Sequence, residues 1–317
     1  MNSAKIGVEQ VLYRCMGITV DEDLLIVADE ALASLGDLFY DVAVSNGLHA
    51  ESLVYPTLPL DGMEPPESIA DAILNSDVAI LVTSRSITHT VARRQGTEKG
   101  VRIASLPGFN EGMLGSPLLV DYEEMAKNTA AMTALLTNAE TARVVTPFGT
   151  DVTMSLKGRL AQDDNGDYRA KGAFGNLPAG EAYIAPVEGT AEGTIVYDGS
   201  MSGIGLFKEP IRVTMKQGEA TEIAGGKEAA KLEEMLNAAG DPGRNLAELG
   251  VGANKGARLT GAVLEDEKVF GTIHFALGDN STFGGKVEAS CHLDGLLTKP
   301  DLYLDGRLVI EAGVWKI

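Results

Sequence analysis

The chain has 317 residues, of which 44% are hydrophobic and 22% charged, and its formal net charge is −19. This length accommodates two domains with separate cores or one large α/β unit, and the composition is that of a folded globular protein. The negative charge argues against nucleic acid and anionic membranes as partners, because phosphate contacts need clustered basic side chains. A metal ion, and a small peptide or other small molecule as substrate, suit this charge better.

The cysteines and the N-terminal residues bear on the compartment. Cys15 and Cys291 lie far apart in sequence and provide no disulfide framework, which is typical of a reducing compartment. Residues 1–10 lack the basic and apolar regions of a signal peptide, and no apolar run approaches the ~20 residues that a membrane helix needs. We therefore expect a cytoplasmic protein.

Short apolar runs alternate with segments of helical spacing in the first half of the chain. The runs 24–28, 78–82 and 101–104 predict buried strands, whereas 30–46 and 67–75 predict helices. This alternation favours a parallel sheet with helices on its faces. Neither a G-x-G-x-x-G nor a phosphate-binding loop motif follows these strands, so nucleotide binding gains no support.

One polar segment, 84–94, directly follows the predicted strand that ends at Val82. Ligands of open α/β sheets tend to bind beyond the carboxyl ends of strands. His89 is therefore a candidate catalytic proton donor or acceptor, and Arg93 or Arg94 could hold a substrate carboxylate. The alternative is an exposed loop that leads into a helix, with solvated arginines.

The pattern changes after residue 138. Residues 122–138 predict a long helix, and the segments 141–197 and 204–213 are strand-like with Gly-rich turns. Residues 227–239 predict the one convincing helix of the second half.

These patterns predict two domains. Residues 1–138 form an α/β scaffold domain with a mostly parallel sheet. Residues 139–317 form a β-rich α+β domain that binds metal and carries the catalytic site.

Two short motifs near the C-terminal end, at 271–278 and 291–295, outline a metal site. His292 and Asp294 are two residues apart, so on a strand their side chains point to the same face. His274 adds a third ligand if the intervening chain turns back as a hairpin. Two imidazoles and one carboxylate suit zinc, manganese, cobalt or ferrous iron. The alternative is that both histidines are ordinary core or surface residues.

Two glutamates stand among small and apolar neighbours. Glu181 ends the phrase G-N-L-P-A-G-E, and Glu248 lies within N-L-A-E-L-G. A buried carboxylate is costly unless a cation or hydrogen-bond donors meet it. A metal ion would remove that cost.

These motifs in this order, G-N-L-P-x-G-E, A-E-L-G, H-x-A-L-G and H-x-D, resemble those of the aminopeptidase T (AmpS-type) metallo-exopeptidases. The resemblance covers roughly 140–317, and more loosely the phrases at 88–93 and 102–108. It implies two divalent ions, zinc, cobalt or manganese, and a homodimer. The ligands that it implies are Glu181, Glu248, His274, His292 and Asp294. Glu248 is the best candidate to bridge the ions and is thus the second candidate catalytic residue.

The chain departs from that family at two positions. The family has a further glutamate ligand where this chain has Val269, and a tyrosine where it has Ser281. Valine cannot bind a metal ion, so one site of the pair is incomplete unless Glu265 or Glu267 substitutes.

The chain is also similar to the dihydroxypyridine ring-cleaving dioxygenases, shorter relatives of these aminopeptidases. That resemblance implies one ferrous ion held by His274, His292 and Asp294, with His89 as the acid/base group. Glu181 and Glu248 would then orient histidines or water.

The leading functional prediction is a leucyl aminopeptidase-like hydrolase that releases N-terminal residues from peptides through metal-activated water. The alternative is the mononuclear dioxygenase. A third class, a noncatalytic binding protein that kept the cavity, remains as a minority hypothesis.

Overall fold

The structure is a computed structural model that describes residues 2–317. Short 3-10 or π-helical turns accompany its α-helices. The α-helices are α1 (Asn2–Glu9), α2 (Ala33–Ser45), α3 (Glu67–Leu74), α4 (Val91–Lys99), α5 (Tyr122–Asn138), α6 (Lys227–Ala239) and α7 (Val263–Asp266). None of these helices is long and apolar enough to cross a membrane.

The strands form one parallel and two antiparallel sheets. They are β1 (Asp23–Asp29), β2 (His49–Tyr55), β3 (Val78–Val82), β4 (Arg102–Ser105), β5 (Thr141–Val145), β6 (Asp151–Ser155), β7 (Gln162–Asp164), β8 (Phe174–Asn176), β9 (Glu181–Ile184), β10 (Glu192–Tyr197), β11 (Ser200–Met201), β12 (Gly205–Leu206), β13 (Ile211–Lys216), β14 (Glu219–Ala224), β15 (Leu246–Gly252), β16 (Ile273–Gly278), β17 (His292–Leu297), β18 (Asp301–Leu304), β19 (Arg307–Glu311) and β20 (Val314–Trp315).

The internal contacts divide the chain into two compact units. The first contains the residues up to Tyr122 together with Gly166–Ala179, and the second contains Glu123–Asn165 and Gly180–Ile317. The contacts thus group α5 almost entirely with the second unit. A single domain boundary at residue 138 stays a prediction.

The first unit is built on a five-stranded sheet in the order β2-β1-β3-β4-β8, and all its strand pairs are parallel. Strands β1 and β3 are buried along nearly their whole length, as expected for a parallel sheet covered on both faces. Helix α2 packs against β1 and β2. The predicted α/β class of this region is confirmed.

The second unit contains two antiparallel sheets. The eight-stranded sheet has the order β14-β13-β10-β6-β5-β18-β19-β20, and the seven-stranded sheet has the order β12-β11-β17-β16-β15-β9-β7. Apolar side chains of both sheets and of α6 form one core, which includes Leu232, Leu249, Phe275 and Leu302. This arrangement confirms the predicted β-rich region after the parallel sheet.

Candidate metal centre

Four neighbouring strands of the seven-stranded sheet, β17, β16, β15 and β9, carry all five predicted metal ligands. His292 and Asp294 lie on β17, His274 on β16, Glu248 on β15 and Glu181 on β9. Side chains of directly paired residues point to the same side of a sheet. The pairing of these strands places all five side chains on one face.

The positions between the donors on this face are occupied by small residues. Each donor has a glycine or an alanine as one of its strand partners; these are Gly278, Ala276, Gly250 and Gly252. On their other sides, His274 pairs with Leu296 and Glu181 with Asp164. The opposite face carries Leu249, Phe275 and Leu297, which belong to the core. The alternation therefore buries one face and leaves room between the donors on the other.

Glu248 lies between the two imidazoles. Its Oε1 is 3.2 Å from Nε2 of His274, and its Oε2 is 3.3 Å from Nε2 of His292. Asp294 Oδ1 is also 3.3 Å from Nε2 of His292. The Nε2 atoms of both histidines thus face carboxylates on the shared face.

His292 is oriented by the loop that connects β16 and β17. Its Nδ1 lies 2.7 Å from the carbonyl oxygen of Asp279, which can only accept a hydrogen bond, so Nδ1–H is the donor. In the neutral imidazole this bond leaves the lone pair on Nε2, the arrangement that metal-binding histidines usually show. The His292 side chain is 31% exposed and that of His274 only 1%, so the site is open at the β17 end.

Glu181 connects the imidazoles to a buried lysine. Its Oε2 is 3.4 Å from Nε2 of His274, and its Oε1 accepts a 2.5 Å hydrogen bond from Nζ of Lys268. Lys268 also donates to Oε1 of Glu267 at 2.7 Å. Lys268 is not among the site residues predicted from the sequence, and the run of three acidic residues before it, at 265–267, was the available signal.

One aromatic ring lies against His292, and a second ring lies against the first. The ring of Phe283 meets the imidazole edge to face, with centroids 5.7 Å apart, and meets Tyr183 in the same way at 5.7 Å. The Tyr183 hydroxyl donates to Oε1 of Gln162 at 3.2 Å. Sequence reasoning missed both rings, although Phe283 lies within the Gly-rich hairpin that it anticipated.

The carboxylates raise the pKa values of both histidines. Burial alone would lower the pKa of His274, but the hydrogen bond to Glu248 and the charge of Glu181 raise it to about 9. Burial opposes protonation of His292 too, yet Asp294 and Glu248 raise its pKa well above the ordinary value. Without a metal ion, the carboxylates thus favour the doubly protonated, cationic form of both imidazoles.

The donor set fits a divalent ion. Two groups, Glu181 with Glu248 and His274, and Glu248 with His292 and Asp294, each have ligand atoms within 4.8 Å of one another. Among the described residues, Oε2 of Glu181 and Nδ1 of His274 are buried and have no hydrogen-bond partner. Imidazole nitrogens and carboxylate oxygens are the ligands of zinc, manganese and ferrous iron.

The other predicted site residue, His89, belongs to the first unit. It is exposed on the loop between β3 and α4. Arg93 is buried against the ring of Phe174 and donates to the carbonyl of Thr88 at 2.6 Å, and Arg94 donates to the carbonyl of His89 at 2.9 Å. Both arginines thus hold the backbone of the His89 loop.

Neither glutamate considered as a substitute at Val269 joins the two donor groups. Glu265 accepts a hydrogen bond from the backbone amide of Arg258 at 3.0 Å, and Glu267 is bound to Lys268. The chain therefore has no replacement for that glutamate among the described residues.

Comparisons with known proteins decide between the two functional predictions. The family NicX, 2,5-dihydroxypyridine 5,6-dioxygenase, matches residues 16–316. The chain belongs to this dioxygenase family. The 2,5-dihydroxypyridine 5,6-dioxygenase of Pseudomonas putida is 27% identical to this member over 247 residues, which are 74% of this chain and 70% of that protein.

Solved structures confirm the fold. The 2,5-dihydroxypyridine dioxygenase of Pseudomonas putida superimposes with a TM-score of 0.83 at 20% identity, covering 98% of this chain and 96% of that chain. AmpT from Thermus thermophilus superimposes with a TM-score of 0.74 at 17% identity, covering 100% of this chain and 99% of that chain. Both predicted resemblances are thus confirmed at the level of fold.

Family membership makes this chain an enzyme and overturns the leading functional prediction. The prediction of a metallo-aminopeptidase, an exopeptidase hydrolase, is wrong, and the dioxygenase alternative is the one that the family match supports. The motifs that suggested the hydrolase supply the metal donors on one face of the sheet. Both families share this fold, and a fold alone does not determine the reaction. A metal ion remains the cofactor that the family and the two donor groups indicate.

Proposed function

We propose that this chain is a ring-cleaving dioxygenase that acts on a dihydroxylated pyridine ring and uses one ferrous ion. The observation that carries the proposal is the convergence of two imidazoles and carboxylates on one face of the seven-stranded sheet, in a chain of this family. Two histidines and one carboxylate, with positions left open for other ligands, are typical of non-haem ferrous oxygenases.

In this proposal His274, His292 and Asp294 hold the ion. When bound, ferrous iron supplies the redox chemistry through which dioxygen reacts with an aromatic ring. Glu248 lies beside the Nε2 atoms of both imidazoles, so its carboxylate borders the position of the ion, and the Asp279 carbonyl fixes the tautomer of His292.

The aromatic pair beside His292 suits a planar ring substrate. Phe283 presents apolar ring surface next to the imidazole and is backed by Tyr183, and aromatic rings attract one another in edge-to-face or offset geometry. We assign to Phe283 the role of orienting the substrate ring and excluding water beside the ion. His89 is kept as the proposed acid/base group that moves a proton on the dihydroxylated ring.

The test is ring cleavage by protein loaded without air with one equivalent of ferrous iron. With 2,5-dihydroxypyridine, we expect one dioxygen consumed for each ring lost, because a dioxygenase places both oxygen atoms in the product. An oxygen electrode and the ring absorbance follow the two quantities. His292→Ala and Asp294→Ala are expected to abolish turnover, since each removes a metal donor.

His49→Ala is the matched control, because His49 is exposed on β2 of the first unit and should leave turnover unchanged. Oxygen uptake that does not match ring loss, or full turnover in His292→Ala, would contradict the proposal.

A further inference from the structure

Lys268 is a fully buried cation. Its side chain is 0% exposed, and it lies two residues after α7 in the segment that leads to β16. Its backbone is held on both sides, since its amide donates to the carbonyl of Glu265 and its carbonyl accepts from the amide of Asn254. A buried ammonium group persists only when anionic acceptors surround it.

Three carboxylates surround the ammonium group. Nζ lies 2.5 Å from Oε1 of Glu181, 2.7 Å from Oε1 of Glu267 and 4.0 Å from Oδ2 of Asp164. The ammonium group donates hydrogen bonds to Glu181 and Glu267, and Asp164 adds a negative charge at a longer distance. Lys268 thus neutralises negative charge at the closed end of the site.

The two donor groups share Glu248, which is a pattern that two neighbouring divalent ions would need. One group ends in Asp294 and the other in Glu181. Ions of a pair lie about 3.5–4 Å apart and are bridged by a shared carboxylate. The donors on this face could therefore serve two ions, if no other cation competed for them.

Lys268 is that competing cation. One oxygen of Glu181 is bound to the ammonium group, and the other oxygen faces Nε2 of His274. A divalent ion bound to Glu181 would lie next to a positive charge that cannot move away, because Lys268 is enclosed on all sides. Repulsion between like charges is strong in a buried environment.

We propose that Lys268 takes the place of a second divalent ion at the Glu181 end of the site and so limits the centre to one ion. Glu181 then acts as a positioning residue that links Lys268 to His274. The inference rests on the proposed function only in taking this face as a metal site, and it does not depend on which ring is cleaved.

The test is a count of bound ions with cobalt(II) as the probe. Metal-free protein is equilibrated with excess cobalt, freed of unbound ion and analysed for metal and protein. We expect one cobalt per chain in the wild-type protein and two in Lys268→Ala, because Glu181 and the space of the side chain become available. Lys255→Ala removes an exposed lysine of the same unit and is expected to keep one cobalt.

A second variant guards against failure of Lys268→Ala to fold. The double variant Lys268→Ala with Glu267→Gln removes the ammonium group and replaces one of the two carboxyl groups that bind it with a neutral amide of similar shape. It leaves Glu181 free, so it is also expected to bind two cobalt ions. Two ions in the wild-type protein, or one ion in either folded variant, would overturn the inference. So would failure of both variants to fold in excess cobalt.

The two proposals fail separately. A change from one to two cobalt ions without any ring cleavage by the iron-loaded wild-type protein would reject the proposed reaction and leave the role of Lys268 standing. Ring cleavage by a wild-type protein that binds two cobalt ions would support the proposed reaction and reject the role of Lys268.

Discussion

A single carboxylate sets the spacing of the two imidazoles in the metal centre. Glu248 contacts Nε2 of His274 with one oxygen and Nε2 of His292 with the other, at 3.2 and 3.3 Å. The side chain of His274, on β16, lies over its strand partner Gly250 on β15, which has no side chain. A β-carbon at Gly250 would lie 1.9 Å from Nε2 of His274, far inside contact distance. The position of His274 therefore depends on a glycine that provides no ligand.

We predict that Gly250→Ala weakens metal binding by tenfold or more, which is the effect typical of removing a residue that orients a ligand. The clash should also lower the free energy of unfolding by about 1–3 kcal/mol. Calorimetric titration with cobalt and urea unfolding measure the two effects. Val251→Ala, on the opposite face of β15, should lose stability through a cavity but keep the affinity. Unchanged affinity in Gly250→Ala would contradict the role of this glycine.

At the scale of elements, the alternation of side chains along a strand could be predicted from the sequence, but the order of the strands in the sheet could not. The H-x-D motif placed His292 and Asp294 on one face, and the structure has them so on β17. The contact of Lys268 with Glu181 joins residues 87 positions apart. It depends on how β9 pairs with β15, which no local pattern determines. The same limit hid Tyr183, and the motifs could not separate two reactions that share one fold.

The loop between β16 and β17 is held by one ion pair. Glu188 accepts hydrogen bonds from the Lys286 amide at 2.8 Å and the Asn280 side chain at 3.1 Å, and it pairs with Arg159. Arg159 also donates to the carbonyl of Gly284. This loop carries the Asp279 carbonyl and the Phe283 ring, so its anchoring affects His292.

We predict that Glu188→Ala lowers the free energy of unfolding by about 1–3 kcal/mol, because the partners of the carboxylate lose their acceptor. It should also weaken metal binding, since His292 loses its fixed orientation. Urea unfolding and cobalt titration measure both. Glu222→Ala, exposed on β14, should stay within about 0.5 kcal/mol of the wild type. A stable variant with full affinity would show that the loop holds without Glu188.

For the whole molecule, the metal centre links stability to pH. The protein carries a net charge of −19 and concentrates buried carboxyl groups and two imidazoles on one sheet. The pKa of His274 rises from 6.5 to about 9 on folding, and burial raises the pKa of Glu267 from 4.5 to about 8. Both groups bind protons more tightly in the folded state. The expected homodimer and cytoplasmic location remain predictions.

We predict that the metal-free protein loses stability as the pH rises from about 6.5 to 9. The contribution of His274 is fully present below its unfolded pKa of 6.5 and is lost as the pH passes about 9. The stabilising contribution of Glu267 falls with rising pH in the same way, and it is lost as the pH passes about 8. Cobalt should reverse the trend, since it binds neutral imidazoles and its affinity rises with pH.

Thermal unfolding at pH 6.5, 7.5 and 9, in chelator and in cobalt, measures this dependence. His274→Gln removes one of the titrating groups and should make the curve in chelator less steep. A melting temperature of the metal-free wild-type protein that rises with pH over this range would contradict the prediction.

The donors of the metal centre differ in exposure, and this affects how a bound ion is lost and replaced. His274 and Glu181 are enclosed, whereas His292 is 31% exposed and is held through a loop carbonyl. An ion that escapes through the open end leaves behind donors that the hydrogen-bond ladder of four strands keeps in place. The site can therefore be refilled: after a bound metal ion is lost, a fresh ion can enter through the open end without a round of unfolding.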